Sequence, residues 1–218
     1  MALDGIDVSS NQPAEICRMV SYDFAIVKAT GNPPGHAWDY VNPFWQRQID
    51  DALAATGCGG LYHFTHGLDA NAEADFFIDQ VKDYIGRVLL AIDYEGGAVK
   101  RGRAWLQELI VRIQNRAGVA PVVYASSSVI KEQGLAELCR DRGCALWSAN
   151  YWRGYEAIVG YDRGGCRMDV AASVMWQYTS SGRLDGYDGN LDLDVFFGDA
   201  GDWAALCSRN ESVSRRAE

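Results

Sequence analysis

The sequence predicts an α/β barrel of the TIM kind, (β/α)5(β)3, in a single domain. Three observations carry this reading. Eight apolar, strand-like runs recur along the chain; helical stripes follow only the first five; and polar or aromatic residues recur at the C-terminal ends of the runs, where barrel layers are otherwise apolar. Alternating β and α units call for a parallel sheet.

The runs are Leu3–Val8, Phe24–Ala29, Gly60–Phe64, Val88–Tyr94, Pro121–Ala125, Ala145–Ala149, Val174–Tyr178 and Leu191–Phe196. After the first comes a short helical stretch, Pro13–Val20. The second helix, Asn42–Ala55, stops at Gly57, a helix-ending residue. Asp69 caps the third, which runs to Ile85 with Ala74, Phe77, Ile78, Val81 and Ile85 on one stripe. Val99–Ala117 gathers Trp105, Leu106, Leu109, Ile110 and Ile113 on its buried face. The fifth, Ser126–Arg142, is weakened in the middle by Gly134. Beyond residue 145 the connections are rich in Gly, Asp and Arg and carry no helical stripe. The barrel is expected to fill residues 1–200, with 201–218 a C-terminal extension or linker.

Composition narrows the function classes. With 29 acidic against 20 basic residues and a net charge of −9, the chain is a poor partner for nucleic acid or anionic membranes. A neutral glycan is compatible with that charge, and seven Trp and eleven Tyr supply aromatic faces for it. No apolar run is long enough to span a membrane. The N-terminus has no secretory pattern, so synthesis in a cytoplasm without a signal peptide is expected. The six cysteines show no metal spacing and are expected to be reduced thiols, Cys139 and Cys144 being the pair closest to an exception. His63 and His66 could not both face one site from a strand, so neither a metal centre nor a cofactor is expected. A monomer is expected.

Leu89-Leu90-Ala91-Ile92-Asp93-Tyr94-Glu95 is the most informative segment. Strand side chains alternate faces, so Asp93 and Glu95 point the same way at the end of a buried strand. Two carboxylates there are the minimal machinery of glycoside hydrolysis, one donating a proton to the leaving oxygen while an anion serves the other side. The remaining strand ends supply Asp7, Lys28, Tyr62 with His63 and Phe64, Tyr124, Trp147 with Asn150, Trp176 with Gln177 and Tyr178, and Asp192 with Asp194.

Gly5-Ile6-Asp7-Val8-Ser9, Lys28-Ala29-Thr30, Tyr62-His63-Phe64, Asp93-Tyr94-Glu95, Trp176-Gln177-Tyr178 and Gly189-Asn190-Leu191-Asp192-Leu193-Asp194-Val195-Phe196 occur in the order seen in family 25 glycoside hydrolases, the Chalaropsis-type lysozymes. The chain resembles that family from residue 3 to 198. The resemblance implies a (β/α)5(β)3 barrel and cleavage of the β-1,4 bond between N-acetylmuramic acid and N-acetylglucosamine in the bacterial peptidoglycan glycan strand. It implies Glu95 as acid/base with Asp93 beside it, Asp7 and Asp192 as further active-site acids, and Tyr62 and Trp176 lining the sugar cleft. Lys28, Tyr124, Trp147 and Gln177 complete the expected substrate-binding set. Two departures stand out: Gly31-Asn32 where Glu-Gly is common, and Pro13 where Gly is usual.

Glu95 is the expected protonated member, because anionic neighbours oppose its ionisation. Asp93 or Asp192 could accept the N–H of a 2-acetamido group and favour a substrate-assisted, retaining path; direct inversion through water is the alternative. A phage or prophage endolysin fits an enzyme of this kind without a leader. Rival readings are a metal-dependent hydrolase using the same acids as ligands, a chitinase, whose longer D-x-x-D-x-D-x-E pattern is absent, and a non-catalytic cell-wall glycan-binding barrel.

Overall fold

The computed structural model describes residues 2–164 and 168–208. Its strands are β1 (Leu3–Val8), β2 (Phe24–Thr30), β3 (Gly59–Phe64), β4 (Leu89–Asp93), β5 (Val122–Ser126), β6 (Ala145–Ala149), β7 (Ile158–Val159), β8 (Met175–Leu184) and β9 (Tyr187–Phe196). The helices are α1 (Ile16–Met19), α2 (Trp45–Thr56), α3 (Ala70–Val81), α4 (Gly102–Ala117), α5 (Ser127–Glu132), α6 (Leu135–Arg142) and α7 (Ala200–Cys207).

Strands β1 to β6 pair in parallel, each with the next. A parallel β6–β8 pairing and antiparallel β8–β9 and β9–β1 pairings close the ring. Eight strands thus form the barrel, and the two-residue β7 lies along β8 from outside. The (β/α)5(β)3 architecture holds, with one correction to the parallel sheet. The chain reverses between β8 and β9 in a hairpin at Asp185-Gly186, so β9 runs against its neighbours. With no helix between them, these strands have no crossover to restore direction, and parallel pairing requires one.

The expected helices form with local adjustments. Asp69 caps α3 by accepting the Ala72 amide at 2.8 Å. The fifth helix is two, because Gly134 takes a left-handed conformation (φ 62°) that no helix interior accommodates. Helices α2 to α6 cover one outer arc, with Phe77, Ile78, Leu106, Leu109, Ile110 and Ile113 against the outward residues of the strands. Over β8 and β9, where helices are missing, aromatic rings take their place: Trp176 and Tyr178, 5.6 Å apart, with Trp152 and Tyr161 beside the same core.

The barrel interior changes character along its axis. At the bottom, Phe24, Leu89, Met175 and Phe196 form an apolar layer. Gly5 leaves the space that Phe24 fills, since a Cβ on Gly5 would lie 2.4 Å from the Phe24 ring. The floor is closed by α7, which the sequence reading placed in an extension. A capping box at Asp199 and Asp202 starts it, and Trp203 packs 4.7 Å from Phe24 and 5.3 Å from Phe196. Residues 200–207 are therefore part of the barrel, and the remainder of the expected extension, 209–218, lies outside the described residues.

Cys17, Cys58, Cys139, Cys144 and Cys207 are free thiols; the Cys144 amide donates to the Cys139 carbonyl, but their sulfurs are not bonded. Cys166 lies outside the described residues. Among the described residues no helix is long and apolar enough to cross a membrane.

Trp203→Ala should cost about 3–5 kcal/mol, as large-to-small core substitutions of aromatics do. Denaturant melts check it. A shift below about 1 kcal/mol would mean that α7 is not part of the cooperative barrel.

Candidate active site

The mouth of the barrel opposite α7 holds an open cleft of about 280 Å³ lined by Asp7, Lys28, Tyr62, Asp93, Glu95, Tyr124, Trp147, Gln177 and Asp192. Nine of the ten residues expected at the site therefore meet there. Ser9, Asn11, Phe64, Tyr151 and Ser180 complete the lining. A second lobe of about 800 Å³ shares Glu95, Tyr124 and Tyr151 with the first and runs past Ser126, Lys131, Asn150 and Tyr155.

Pleat and register deliver these groups. Asp7 on β1 lies directly opposite Asp192 on β9. Lys28 pairs with Tyr62, Phe64 with Asp93, Asp93 with Tyr124, and Tyr124 with Trp147 around the ring. Asp192 was expected from the C-terminal end of its strand. Because β9 is antiparallel, Asp192, at its middle, reaches the mouth and Asp194, nearer its C-terminal end, sits one pleat deeper. Between Asp93 and Glu95, Tyr94 points outward into the core. It is fully buried, stacks on Trp105 at 6.3 Å and donates to Gln133 Oε1 at 3.0 Å. That anchor fixes the alternation that aims both acids inward.

Trp176 is the exception. Its neighbours Met175 and Gln177 face the barrel axis, so parity turns Trp176 outward, where it is 1% exposed and donates to the Asn150 carbonyl at 2.9 Å. It packs the wall and does not line the cleft. Tyr151, which the sequence reading missed, takes an aromatic place at the cleft from the loop after β6. Loops carry no alternation from which to read a direction, and Tyr151 had no such signal.

Neutral donors hold the acids. Gln177 Nε2 donates to Asp7 Oδ2 at 2.5 Å, while its Oε1 accepts from the Tyr124 hydroxyl at 2.8 Å and the Tyr151 hydroxyl at 2.7 Å. Trp147 Nε1 donates to Asp194 Oδ1 at 2.8 Å. One oxygen of Asp93 has no hydrogen-bond donor among the described residues. Lys28 supplies the cation: Nζ lies 4.7 Å from the Phe64 ring centre and donates to Asn32 Oδ1 at 3.3 Å, so one of the two departures from the family pattern supports it. Beneath this loop His63 is not a ligand. It bridges Thr30 Oγ1 (2.9 Å) and Glu73 Oε2 (3.2 Å), and Glu73 also accepts the amides of His66 and Leu68.

Burial dominates the electrostatics. It raises Glu95, with Lys28 opposing; the anionic neighbours expected to do this act on Asp93 instead. Asp93 is pushed well above the usual carboxylate range by burial and then by Glu95. Burial and Asp194 do the same to Asp7, and burial and Asp7 to Asp192. Burial also lowers Lys28, against the pull of Asp93 and Glu95. Such crowding keeps protons on some carboxyls while leaving others anionic, the condition for acid–base work.

Comparison with known proteins agrees with this geometry. The family model for glycosyl hydrolases family 25 matches residues 6–187. The chain is 25% identical over 215 residues to the uncharacterized protein YegX of Escherichia coli (strain K12), covering 90% of this chain and 70% of that one. In fold it resembles a bacterial lysozyme from Streptomyces coelicolor (TM-score 0.70, 22% identity, covering 94% of this chain and 96% of the other). It also resembles a muramidase from Acremonium alcalophilum (TM-score 0.68, 23% identity, 95% and 100% covered). The catalytic domain of endolysin ply40 from a Listeria monocytogenes bacteriophage has a TM-score of 0.65 at 20% identity, with 94% and 97% covered.

Two outcomes follow. Trp176→Ala should lower Tm while leaving the KM of the folded fraction unchanged, whereas Tyr62→Ala should raise KM; a KM rise for Trp176→Ala would return it to the cleft. Glu95 binds its proton more tightly folded than unfolded. Its cost to stability is therefore absent below the ordinary carboxylate range and grows as pH rises through it. Glu95→Gln should thus melt higher than wild type at neutral pH, by about 2–4 °C per kcal/mol released, and equally near pH ~3. Melting curves at both pH values check this, and an unchanged neutral-pH Tm would contradict it.

Proposed function

The chain belongs to glycosyl hydrolase family 25, and from that premise we propose that this glycoside hydrolase is a muramidase. Its substrate is the bacterial peptidoglycan glycan strand, and the bond it cuts is the β-1,4 link from N-acetylmuramic acid to N-acetylglucosamine. The observation that carries this is the convergence of Asp7, Asp93, Glu95 and Asp192 on one aromatic-lined cleft.

In this reading Glu95 is the general acid. Burial raises its proton affinity toward that role, and Lys28 steadies the carboxylate left once the proton has passed to the leaving oxygen. As the bond from the anomeric carbon to that oxygen breaks, the acetamido oxygen of the muramic acid residue closes on the anomeric carbon. Asp93, which lines the cleft beside Glu95, accepts the acetamido N–H and steadies the developing charge. Water then opens the ring, giving its proton to the Glu95 carboxylate, and configuration is retained. Asp192 and Asp7 contribute field, and Lys28 limits how far Glu95 is raised. Tyr62, Tyr124, Trp147, Tyr151 and Gln177 shape the sugar site.

Glu95→Gln should lower turnover on purified cell walls by roughly 10²–10⁴-fold, the scale of lost general acid catalysis. Wild-type digests should carry muramic acid at the new reducing ends, initially in the β configuration by proton NMR, and should be insensitive to EDTA. New ends on glucosamine, or a variant keeping more than about a tenth of the activity, would refute the reading.

A further inference from the structure

We propose that Asp194 is a positioning residue: together with Asp7 it holds one proton inside the barrel, and this fixes the charge that Asp7 presents to the cleft. The catalytic consequence rests on the muramidase reading; the shared proton does not.

Asp194 does not line the cleft, yet it is fully buried on the inner face of β9. Its Oδ1 takes the Trp147 indole N–H, and its Oδ2 has no donor among the described residues. Asp194 lies opposite Gly5, two residues before Asp7 on the same face of β1, so the Asp7 carboxyl is its diagonal neighbour and acts on it, as it also acts on Asp192 directly opposite. Asp7 already uses Oδ2 to accept from Gln177. Two ionised carboxylates are acceptors only, so in contact they repel, and away from water nothing relieves the repulsion. A single proton between them turns it into a hydrogen bond and satisfies the orphaned oxygen. The pair then carries one negative charge; each carboxyl has one N–H donor, but Asp7 also faces Glu95, which keeps the proton on Asp7 and the charge on the Asp194 side.

On β9 itself stands Asp192, which also meets Asp7; Tyr62, Tyr124 and Tyr151 face Asp7; and the phenols of Tyr161 and Tyr178 feel Asp194 from the outer layer. Asp93 and Glu95 face Asp7 from β4 and the loop after it, and Lys28 acts on that second pair. Among the described residues no cation therefore offsets the charge on Asp194 directly. Where the pair keeps its charge decides how strongly Asp192 and Glu95 are opposed in ionising.

Asp194→Asn tests this. The amide can accept from Trp147 and donate to Asp7, so Asp7 no longer needs the proton and becomes the anion. The charge moves toward the cleft, and both limbs of the kcat/KM pH profile should shift upward by roughly half a unit or more. A structural role alone would lower Tm without moving the profile.

Infrared spectra read the proton without activity. In a Glu95→Gln background, which removes the acid's own proton, the carbonyl stretch of a protonated carboxylic acid should be present at neutral pH. It should lose the same single component with Asp194→Asn, Asp7→Asn or both together. If Asp194→Asn does not fold, Asp7→Asn reports the same component. Independent losses from the two sites, or no protonated carboxyl to lose, would overturn the proposal. An enzyme inactive on every glycan but showing the shared component would refute the muramidase reading and leave the proton pair standing.

Discussion

Carboxylate crowding is the constraint on which the rest of this molecule turns. Five acids occupy the upper half of the barrel, and Lys28 is the cation acting on its Asp93–Glu95 pair. Repulsion of that kind opposes folding, and a protein tolerates it only where the surroundings leave no alternative arrangement. Here the surroundings are specific. Neutral donors from Gln177 and Trp147 grip Asp7 and Asp194, and Tyr94 bolts the backbone between Asp93 and Glu95 into the outer core. The apolar floor of Phe24, Phe196 and Trp203 holds the strands in register below them. Stability gathered at one end of the barrel sustains electrostatic strain at the other.

Most of this was legible in the sequence because a strand's pleat has a fixed period. Alternation turned Asp93 and Glu95 to the same face, while Asp7, Lys28, Tyr62 and Tyr124 were legible from their places at the C-terminal ends of the apolar runs. The misreadings came where that rule was not applied or does not operate. Trp176 was placed in the cleft by resemblance, although its neighbours Met175 and Gln177 already claimed the inner face. The direction of β9 was hidden because apolar runs look alike in either orientation, and only the Asp185-Gly186 turn marked the reversal. Tyr151 came from an irregular loop, and α7 from a stretch whose two buried anchors, Trp203 and Cys207, are too few to show a stripe.

Closure of the ring also dictates an order of assembly. β1 is hydrogen-bonded on one side to β2 and on the other to β9, with Leu3 opposite Phe196. A nascent chain can build the β1-to-β6 sheet as each strand emerges, but the outer edge of β1 stays open until residues 187–196 are made. For most of synthesis the strand bearing Asp7 is an edge with unpaired amides and carbonyls, the part of a sheet most prone to recruit a stray partner. The last step joins the two most distant strands in the chain, and contacts of such long sequence separation form slowly. The acid cluster is completed by that same step, since Asp192 and Asp194 arrive with β9. The chain can therefore fold the greater part of its scaffold before its carboxylates are forced together.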